Sequence, residues 1–415
     1  MTERGGTHMI VGTSDRPTDC GVAAARSSRS FGAVVVGGDY QGLGIVRSLG
    51  RHNIPVCVID DERSIARYSR YATHSVAVAS LRDEEQAVQT VLDIGRRLDL
   101  RGWVLYPTRD ETVAAFSRHQ SELTEFFRVP TPDWSTIQWA WDKRNTYRLA
   151  NELGIPTPLT WYPLTAEDLD RICIDKPLAV KPAIKEHFFY ATKAKAWRAN
   201  NRVELNELFR RAAEHVQPGE VMIQDLIPGG GEQQFAYCAF FKEGQALGSM
   251  VVRRSRQHPP EFGRASTYVE TIDLPILEQL SERFLRAINY YGLVELEYKL
   301  DPRDGRYKLL DVNGRTWGYH TLGPGAGVDF PYMLFADQAG EAVQPCRGRV
   351  GVRWIRLLTD LPTGVREILS RRQGLGTYLR SLRTFDVEAV FSRTDPLPGL
   401  AELVLLPYLF VKRGF

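Results

Sequence analysis

Three features of the 415-residue chain predict an α/β fold followed by an α+β one. An apolar, β-branched strand at Val34, Val35 and Val36 runs through glycines into a helix-spaced segment and then a second strand ending at Asp60. This alternation of strand and helix continues to about residue 132, the pattern of a doubly wound parallel sheet. Beyond it, short runs alternate apolar with polar residues and are joined by turns, so the second part is mostly antiparallel sheet with a few helices.

The N-terminal elements follow in order. Residues 1–30 are rich in Gly, Ser, Thr, Arg and Asp and poor in bulky apolar residues, so they are expected to be a disordered extension. In the α/β domain of residues 31–132, Val34–Val36 suit a strand buried on both faces, and Leu43, Val46 and Leu49 follow at helical spacing. The glycine turn has the outline of a dinucleotide fingerprint but not its spacing. Gly37 and Gly38 are followed by Asp39, Tyr40 and Gln41 before Gly42 and Gly44, which puts a carboxylate and two bulky side chains where a pyrophosphate must approach. An NAD or FAD site is therefore disfavoured there, and Asp39, Tyr40 and Gln41 are candidates for shaping a small-substrate pocket. Strands are expected at His74–Val78 and Trp103–Tyr106, with a helix through Val88, Val91, Leu92 and Leu98. Arg109 and Asp110 lie just past a strand's carboxyl end, where open α/β sheets bind ligands, and are substrate candidates.

Composition narrows the function. With 43% hydrophobic and 25% charged residues the chain reads as an ordinary soluble protein, and a net charge of +3 gives no case for nucleic-acid binding. Cys20, Cys57, Cys173, Cys238 and Cys346 are scattered without a C-x-x-C pair, so neither a zinc site nor a disulfide framework is expected. No apolar run approaches the ~20 residues of a membrane span. The first residues lack the apolar core of a signal peptide, so the cytoplasm is the expected compartment.

In the second part, Trp141–Pro158 reads as one helix, with Asp142 as N-cap, Leu149, Ala150 and Leu153 as its buried stripe, and Gly154 and Pro156 as its stop. The strand "LAVKPA" (178–183) and the strand-to-loop stretch "EVMIQDLIPGGGE" (220–232) precede the hairpin "GLVELEYKLDPRDGRYKLLDVNGR" (292–315). In one strand of that hairpin Glu295, Glu297 and Lys299 share a face, and in its partner Leu309, Asp311 and Asn313 share one. If the connection is the three-residue loop Arg303-Asp304-Gly305, with Gly305 at positive φ, Glu297 stands opposite Asp311, whereas a two-residue loop would slip the register by one. Two facing carboxylates beside an amide oxygen repel unless bridged by a cation, and an all-oxygen set suits Mg²⁺ bound partly through nucleotide phosphates. Arg315 on the same side suits a phosphate oxygen. Glu295 and Lys299 read as solvated charges on the sheet surface.

Taken in order, these segments resemble the ATP-grasp superfamily, most closely its carboxylate–amine ligase and D-aspartate-ligase-like branch. The resemblance spans roughly residues 34–340. It implies an N-terminal pre-ATP-grasp domain and a two-part ATP-grasp domain over 133–345, with a lid subdomain at about 160–228. It assigns Glu297, Asp311 and Asn313 to the metal, Lys143 and Lys181 to the phosphates, Gln224, Asp225 and Leu226 to adenine, and Glu232 to the ribose. Arg315 and Lys181 become the catalytic residues, and Arg254 and Arg256 line the acceptor or γ-phosphate side. The implied cofactors are ATP and Mg²⁺, two ions, with Mn²⁺ as a substitute. The implied reaction joins a carboxylate, an amino acid or sugar acid, to an amine through an acyl phosphate, releasing ADP and phosphate. A homodimer is the implied assembly.

The chain departs from the family pattern in two places. Asp311 stands where Glu is usual, one methylene shorter. Residues 183–196 contain no glycine, so Lys193 and Lys195 are the candidates to supply by side-chain charge what a glycine-rich phosphate lid supplies by backbone amides. Residues 346–415 read as a helical tail, with similar "DPLPGLAELVLL" tails in that branch. Its last apolar run, closed by Lys412 and Arg413, either packs on the body or makes weak peripheral contact with a membrane. Two competing functions are a dinucleotide-dependent oxidoreductase, favoured only by the glycine turn, and a non-catalytic ATP-binding regulator.

Overall fold

The computed structural model describes residues 31–413 apart from 260, 261 and 264; the expected disordered extension lies outside the described residues. The first sheet is four-stranded and wholly parallel, in the order His74–Ala77, Val56–Asp60, Ala33–Val36, Val104–Pro107. Its central strands are apolar on both sides because both sides are covered. Val35, Val56 and Val58 pack with Leu43, Val46 and Leu49 of the helix Tyr40–Arg51. Val34, Val36 and Ile59 pack with Val88, Val91 and Leu92 of the helix Glu84–Arg97.

The second sheet is the spine of the molecule. Its strands run Arg306–Asn313, Gly292–Asp301, Gln234–Lys242, Gln245–His258, Ala265–Ile272, Arg353–Ile355 and Val387–Glu388, with Cys346–Arg347 pairing beside Gln245–His258. Alternation along each strand sorts residues between two cores. Tyr237, Ala239, Phe241, Val294, Leu296 and Tyr298 meet Leu277, Leu280 and Phe284 of the helix Pro275–Ala287. Ala236, Cys238, Phe240, Met250 and Val252 face the first sheet's helix through Trp317, Phe330 and Trp354. Each such fully buried side chain contributes roughly 1.5–3 kcal/mol of transfer free energy, so the two sheets are joined by a shared apolar core.

The tail is not purely helical as expected. It supplies three short strands, Cys346–Arg347, Arg353–Ile355 and Val387–Glu388, because Trp354 and Ile355 are apolar and β-prone beside an open sheet edge. Its helix Leu397–Val404 turns Pro398, Gly399 and Glu402 inward and leaves Leu397, Leu400, Leu403 and Val404 exposed. Among the described residues no helix is long and apolar enough to cross a membrane, and Cys57, Cys173, Cys238 and Cys346 are unpaired.

A third, four-stranded antiparallel sheet, Thr160–Trp161, Val221–Asp225, Leu178–Pro182 and Trp197–Ala199, stands over the open end of the spine. Between its strands lies a helix, Lys185–Thr192.

The hairpin Gly292–Asn313 reaches the expected pairing by an unexpected route. Asp301 pairs with Arg306, so four residues, not three, make the turn, with Gly305 at φ +69°. That alone slips the register by one. A bulge at Leu310, between the pairs Tyr298–Leu309 and Glu297–Asp311, restores it.

Candidate active site

The bulge brings four polar residues together: Glu297 opposite Asp311 and Glu295 opposite Asn313. The Asn313 amide donates to Glu295 Oε2 at 3.0 Å and to Glu297 Oε1 at 3.3 Å, which turns its oxygen toward Arg315 Nη2 at 3.3 Å. Lys143, at the start of the helix Lys143–Glu152, crosses from the other side and puts Nζ 2.6 Å from Asp311 Oδ1. The Asp142 side chain caps that helix through Arg144 N, as the sequence predicts. Burial opposes the charge on Lys143, but Asp311 outweighs it and holds the ammonium above its ordinary pKa. The same pair holds Asp311 below the usual carboxylate range despite burial.

Lys181 lies beside them. Its Nζ donates to Tyr147 Oη at 3.0 Å, and Tyr147 in turn donates to the bulged Leu310 carbonyl at 2.9 Å. Burial, aided by the Lys143 charge, pulls Lys181 down to about 7. Such an ammonium is primed to gain from an arriving anion. Lys181, Gln224, Asp225 and Leu226 line a cleft of about 450 Å³ between the third sheet and the spine. Within it Gln224 donates to Thr160 Oγ1 at 2.8 Å, and Asp225 is gripped by Arg303 at 2.8 and 3.1 Å. Glu232 is exposed and accepts from Gly230 N of its own loop at 2.9 Å. It is not among the residues lining the cleft, whose wall there is Gly229 and Gln234.

Further along the strand Gly292–Asp301, past Lys299, is a cavity of about 180 Å³, lined by Tyr40, Gln41, Lys185, Lys195, Arg254, Glu295, Glu297, Asn313 and Arg315 among others. Arg254 pairs with Glu297; the arginine is buried and the glutamate partly so. Arg315 grips Asp110 through Nε at 2.5 Å and Nη2 at 2.9 Å, and Lys185 joins the same carboxylate. Burial would raise Asp110, but Arg315 and Lys185 outweigh it and hold it well below the usual range.

Several expected roles change. Asp110 is committed to Arg315 and Lys185, so it anchors the site rather than facing substrate as a free group. Arg109 is spent on Asp60 at 2.5 Å and Asp61 at 2.7 Å, with Glu62 at 3.7 Å. Arg256 makes a two-pronged pair with Asp360, both bonds 2.8 Å, between the rings of Tyr268 and Tyr378. It ties the spine to the tail and does not reach the cavity. Asp39 begins the helix Tyr40–Arg51 without capping it through its side chain and is not among the cavity's lining residues. Glu295 and Lys299, read as solvated, are buried, under Tyr319 and the loop after the strand Val221–Asp225 respectively. Tyr319 donates to Glu295, and Lys299 Nζ donates to the carbonyls of Ile227 and Gly229 at 2.8 and 2.7 Å. Burial and the Glu297 charge together push Glu295 up.

The glycine turn is closed by protein. Gly38 N donates to Asp60 Oδ2 at 2.6 Å, and a Cβ on Gly37, at φ +98°, would meet Thr108 Oγ1 at 2.2 Å. Asp60 therefore holds the turn and Arg109, and no dinucleotide cradle remains. Sequence reading missed Tyr147, Lys185, Glu295 and Tyr319. The signal for Glu295 was its same-face spacing from Glu297, and for Lys185 its place just past the end of the strand that carries Lys181.

The donor set fits Mg²⁺. Among the described residues no three His, Cys, Asp or Glu side chains converge as a self-sufficient metal site. Mg²⁺, however, is ordinarily held by one or two carboxylates plus phosphate oxygens and water. Glu297, Asp311 and the Asn313 oxygen are hard oxygen donors on adjacent strands, and their present partners, Arg254, Lys143 and Arg315, are cations that suit phosphate equally.

No protein-family model matches the chain. It is 24% identical over 317 residues to the D-aspartate ligase of Enterococcus faecium (strain Aus0004), covering 71% of this chain and 74% of that protein. Its fold resembles the crystal structure of an L-amino acid ligase from Bacillus licheniformis, with TM-score 0.59, 16% identity and coverage of 76% and 75% of the two chains. It also resembles the biotin carboxylase domain dimer of 2-oxoglutarate carboxylase from Hydrogenobacter thermophilus in complex with MgADP, ADP and bicarbonate, with TM-score 0.61, 16% identity and coverage of 78% and 74%. The chain is thus similar in sequence to a D-aspartate ligase and shares its fold with an L-amino acid ligase and a biotin carboxylase domain.

Proposed function

We propose that this enzyme activates a small carboxylate, an amino acid or a sugar acid, with ATP and joins it to an amine, releasing ADP and phosphate. The observation that carries the reading is the meeting of Lys143 and Lys181 with Glu297, Asp311 and Asn313 between the 450 Å³ cleft and the 180 Å³ cavity. The cleft takes adenine against Gln224, Asp225 and Leu226. Lys143 and Lys181 lead the triphosphate along the hairpin, so its γ-phosphoryl enters the cavity lined by Arg254 and Arg315. Mg²⁺ on Glu297, Asp311 and Asn313 supplies neutralisation of the phosphate charge, with two ions expected and Mn²⁺ as a substitute. A carboxylate oxygen of the acid bonds to the γ-phosphorus as the bond to ADP breaks. The amine nitrogen then bonds to the acyl carbon, phosphate leaves with the electron pair, and the surplus proton passes to solvent.

The cavity's cations favour an anionic acid, bounded by Tyr40 and Gln41. The third sheet and its helix Lys185–Thr192 exclude water from the acyl phosphate. We place the enzyme in the cytoplasm as a homodimer. The test is a phosphate-release screen of acids and amines with Mg²⁺ and ATP, beginning with D-aspartate, followed by product mass. Equimolar ADP, phosphate and a condensed product are expected. Binding of ATP without turnover on any pair would favour a regulator instead.

A further inference from the structure

The helix Lys185–Thr192 occupies the place where a glycine-rich phosphate loop is expected, and residues 183–196 hold no glycine. A helix spends its backbone N–H groups on its own carbonyls, so this stretch cannot wrap consecutive amides around an anion as glycine-rich loops do. Positive charge must then come from side chains. Three lysines are available and the structure separates them. Lys185 is committed to Asp110 and, at 3.1 Å, to Glu186. Lys193 is the left-handed cap of the helix, at φ +58°, and is exposed.

Lys195 differs from both. It is partly buried and lines the 180 Å³ cavity, and its one hydrogen bond among the described residues is to the Gly263 carbonyl at 3.1 Å. Among the described residues no carboxylate lies within ion-pair distance of it, and two of the ammonium's three N–H donors have no acceptor. Burial pulls Lys195 down to about 8. The same cavity holds a second unspent donor: Arg254 gives Nη1 to Glu297, but its buried Nε has no acceptor among the described residues. Two cations from different elements thus present idle N–H groups to one small space beside Glu297 and Asp311. Buried donors are rarely left unmet without a ligand to meet them.

We infer that Lys195 is a catalytic residue which, with Arg254, contacts the γ-phosphoryl group from the acceptor side, in place of a glycine-rich lid. The inference rests on the proposed ligase reading. As the acid's oxygen bonds to phosphorus and the ADP oxygen departs with its electron pair, Lys195 keeps its proton throughout and holds the equatorial oxygens. The distinguishing property is selectivity for the third phosphate. Lys143 and Lys181 serve ADP and ATP alike, whereas Lys195 serves only a nucleotide whose γ-phosphate reaches the cavity.

The test is calorimetric binding of Mg·AMP-PNP and Mg·ADP to the full chain, wild type and the variants Lys195→Ala, Lys195→Met and Lys195→Arg, with thermal melts to confirm folding. Expected are a tenfold or greater loss of Mg·AMP-PNP affinity in the Ala and Met variants, a change below twofold for Mg·ADP, and substantial recovery in the Arg variant. Unchanged affinity for both nucleotides, or equal loss of both, overturns the role of Lys195 while leaving the ligase reading intact. Failure of the wild-type protein to bind either nucleotide overturns that reading together with the inference.

Discussion

Individual residues decide the chemistry through their partners more than through their type. Asp311 is one methylene shorter than the glutamate usual in its resemblance, yet Lys143 reaches it at 2.6 Å from a different element, so the carboxylate stays charged where burial alone would neutralise it. Asp311→Asn keeps the shape and removes the charge. Carboxylate-dependent phosphate release is expected to fall by about a hundredfold or more, with an unchanged circular dichroism spectrum; full turnover in the variant would refute the metal assignment. Glu295→Gln tests the lock on Asn313. Its new amide can present N–H where Asn313 now donates, so the Asn313 oxygen loses its fixed direction, and Mn²⁺ affinity measured by electron paramagnetic resonance in the presence of ADP is expected to fall about tenfold or more. His320 carries a pH signature instead. It is 1% exposed, neither ring nitrogen has a partner among the described residues, and burial lowers it from 6.5 to about 4. Between those values the unfolded chain binds a proton that the native one refuses. Stability present above pH 6.5 is therefore lost as pH falls toward 4, by at most about 3 kcal/mol. Urea midpoints at pH 7 and 4.5 should converge in His320→Gln relative to wild type, and equal losses in both proteins would show that the imidazole titrates normally.

Elements show where local reading works and where it fails. Alternation in Leu293–Leu300 and the positive φ at Gly305 were legible because both are properties of neighbouring residues. The bulge at Leu310 was not, since it depends on Tyr147 reaching the Leu310 carbonyl and on Leu309 N donating to Pro156 O at 2.8 Å, contacts from far along the chain. The tail poses the same problem. "DPLPGLAELVLL" shows its helix, but not that Asp395 accepts from Arg47 Nε at 2.9 Å, Ser69 Oγ at 2.7 Å and Arg70 N at 3.0 Å. Asp395→Ala leaves a buried guanidinium unpaired and is expected to cost about 3 kcal/mol or more in chemical denaturation. Asp395→Asn, which still offers an oxygen, should lose less; indistinguishable curves for all three proteins would deny the tail this anchoring part.

At the scale of the molecule, the spine and the third sheet form the cleft, and the helix Lys185–Thr192 within the third sheet touches the N-terminal domain. Tyr190 of the helix Lys185–Thr192 donates to Glu111 at 2.6 Å, Arg82 lies 4.5 Å over its ring, and Lys185 joins Asp110. A nucleotide bound between spine and third sheet therefore stabilises all three together. Mg·ATP at a hundred times its dissociation constant should stabilise the native state by about 2.7 kcal/mol, read as a rise in melting temperature, whereas NAD should give none. A shift with NAD and none with Mg·ATP would reverse the ligase reading.

The amino-acid order alone determined the strand and helix series of the N-terminal domain, the glycine turn's unsuitability for a pyrophosphate, and the oxygen-rich face of the hairpin, since periodicity and backbone freedom are local. Only the tertiary structure decided which charges are spent and which remain available. Arg109, Arg256 and Asp110 look as free in sequence as Arg254 and Lys195, but an ion pair depends on what the fold brings within about 4 Å, and here the partners lie up to 205 residues apart.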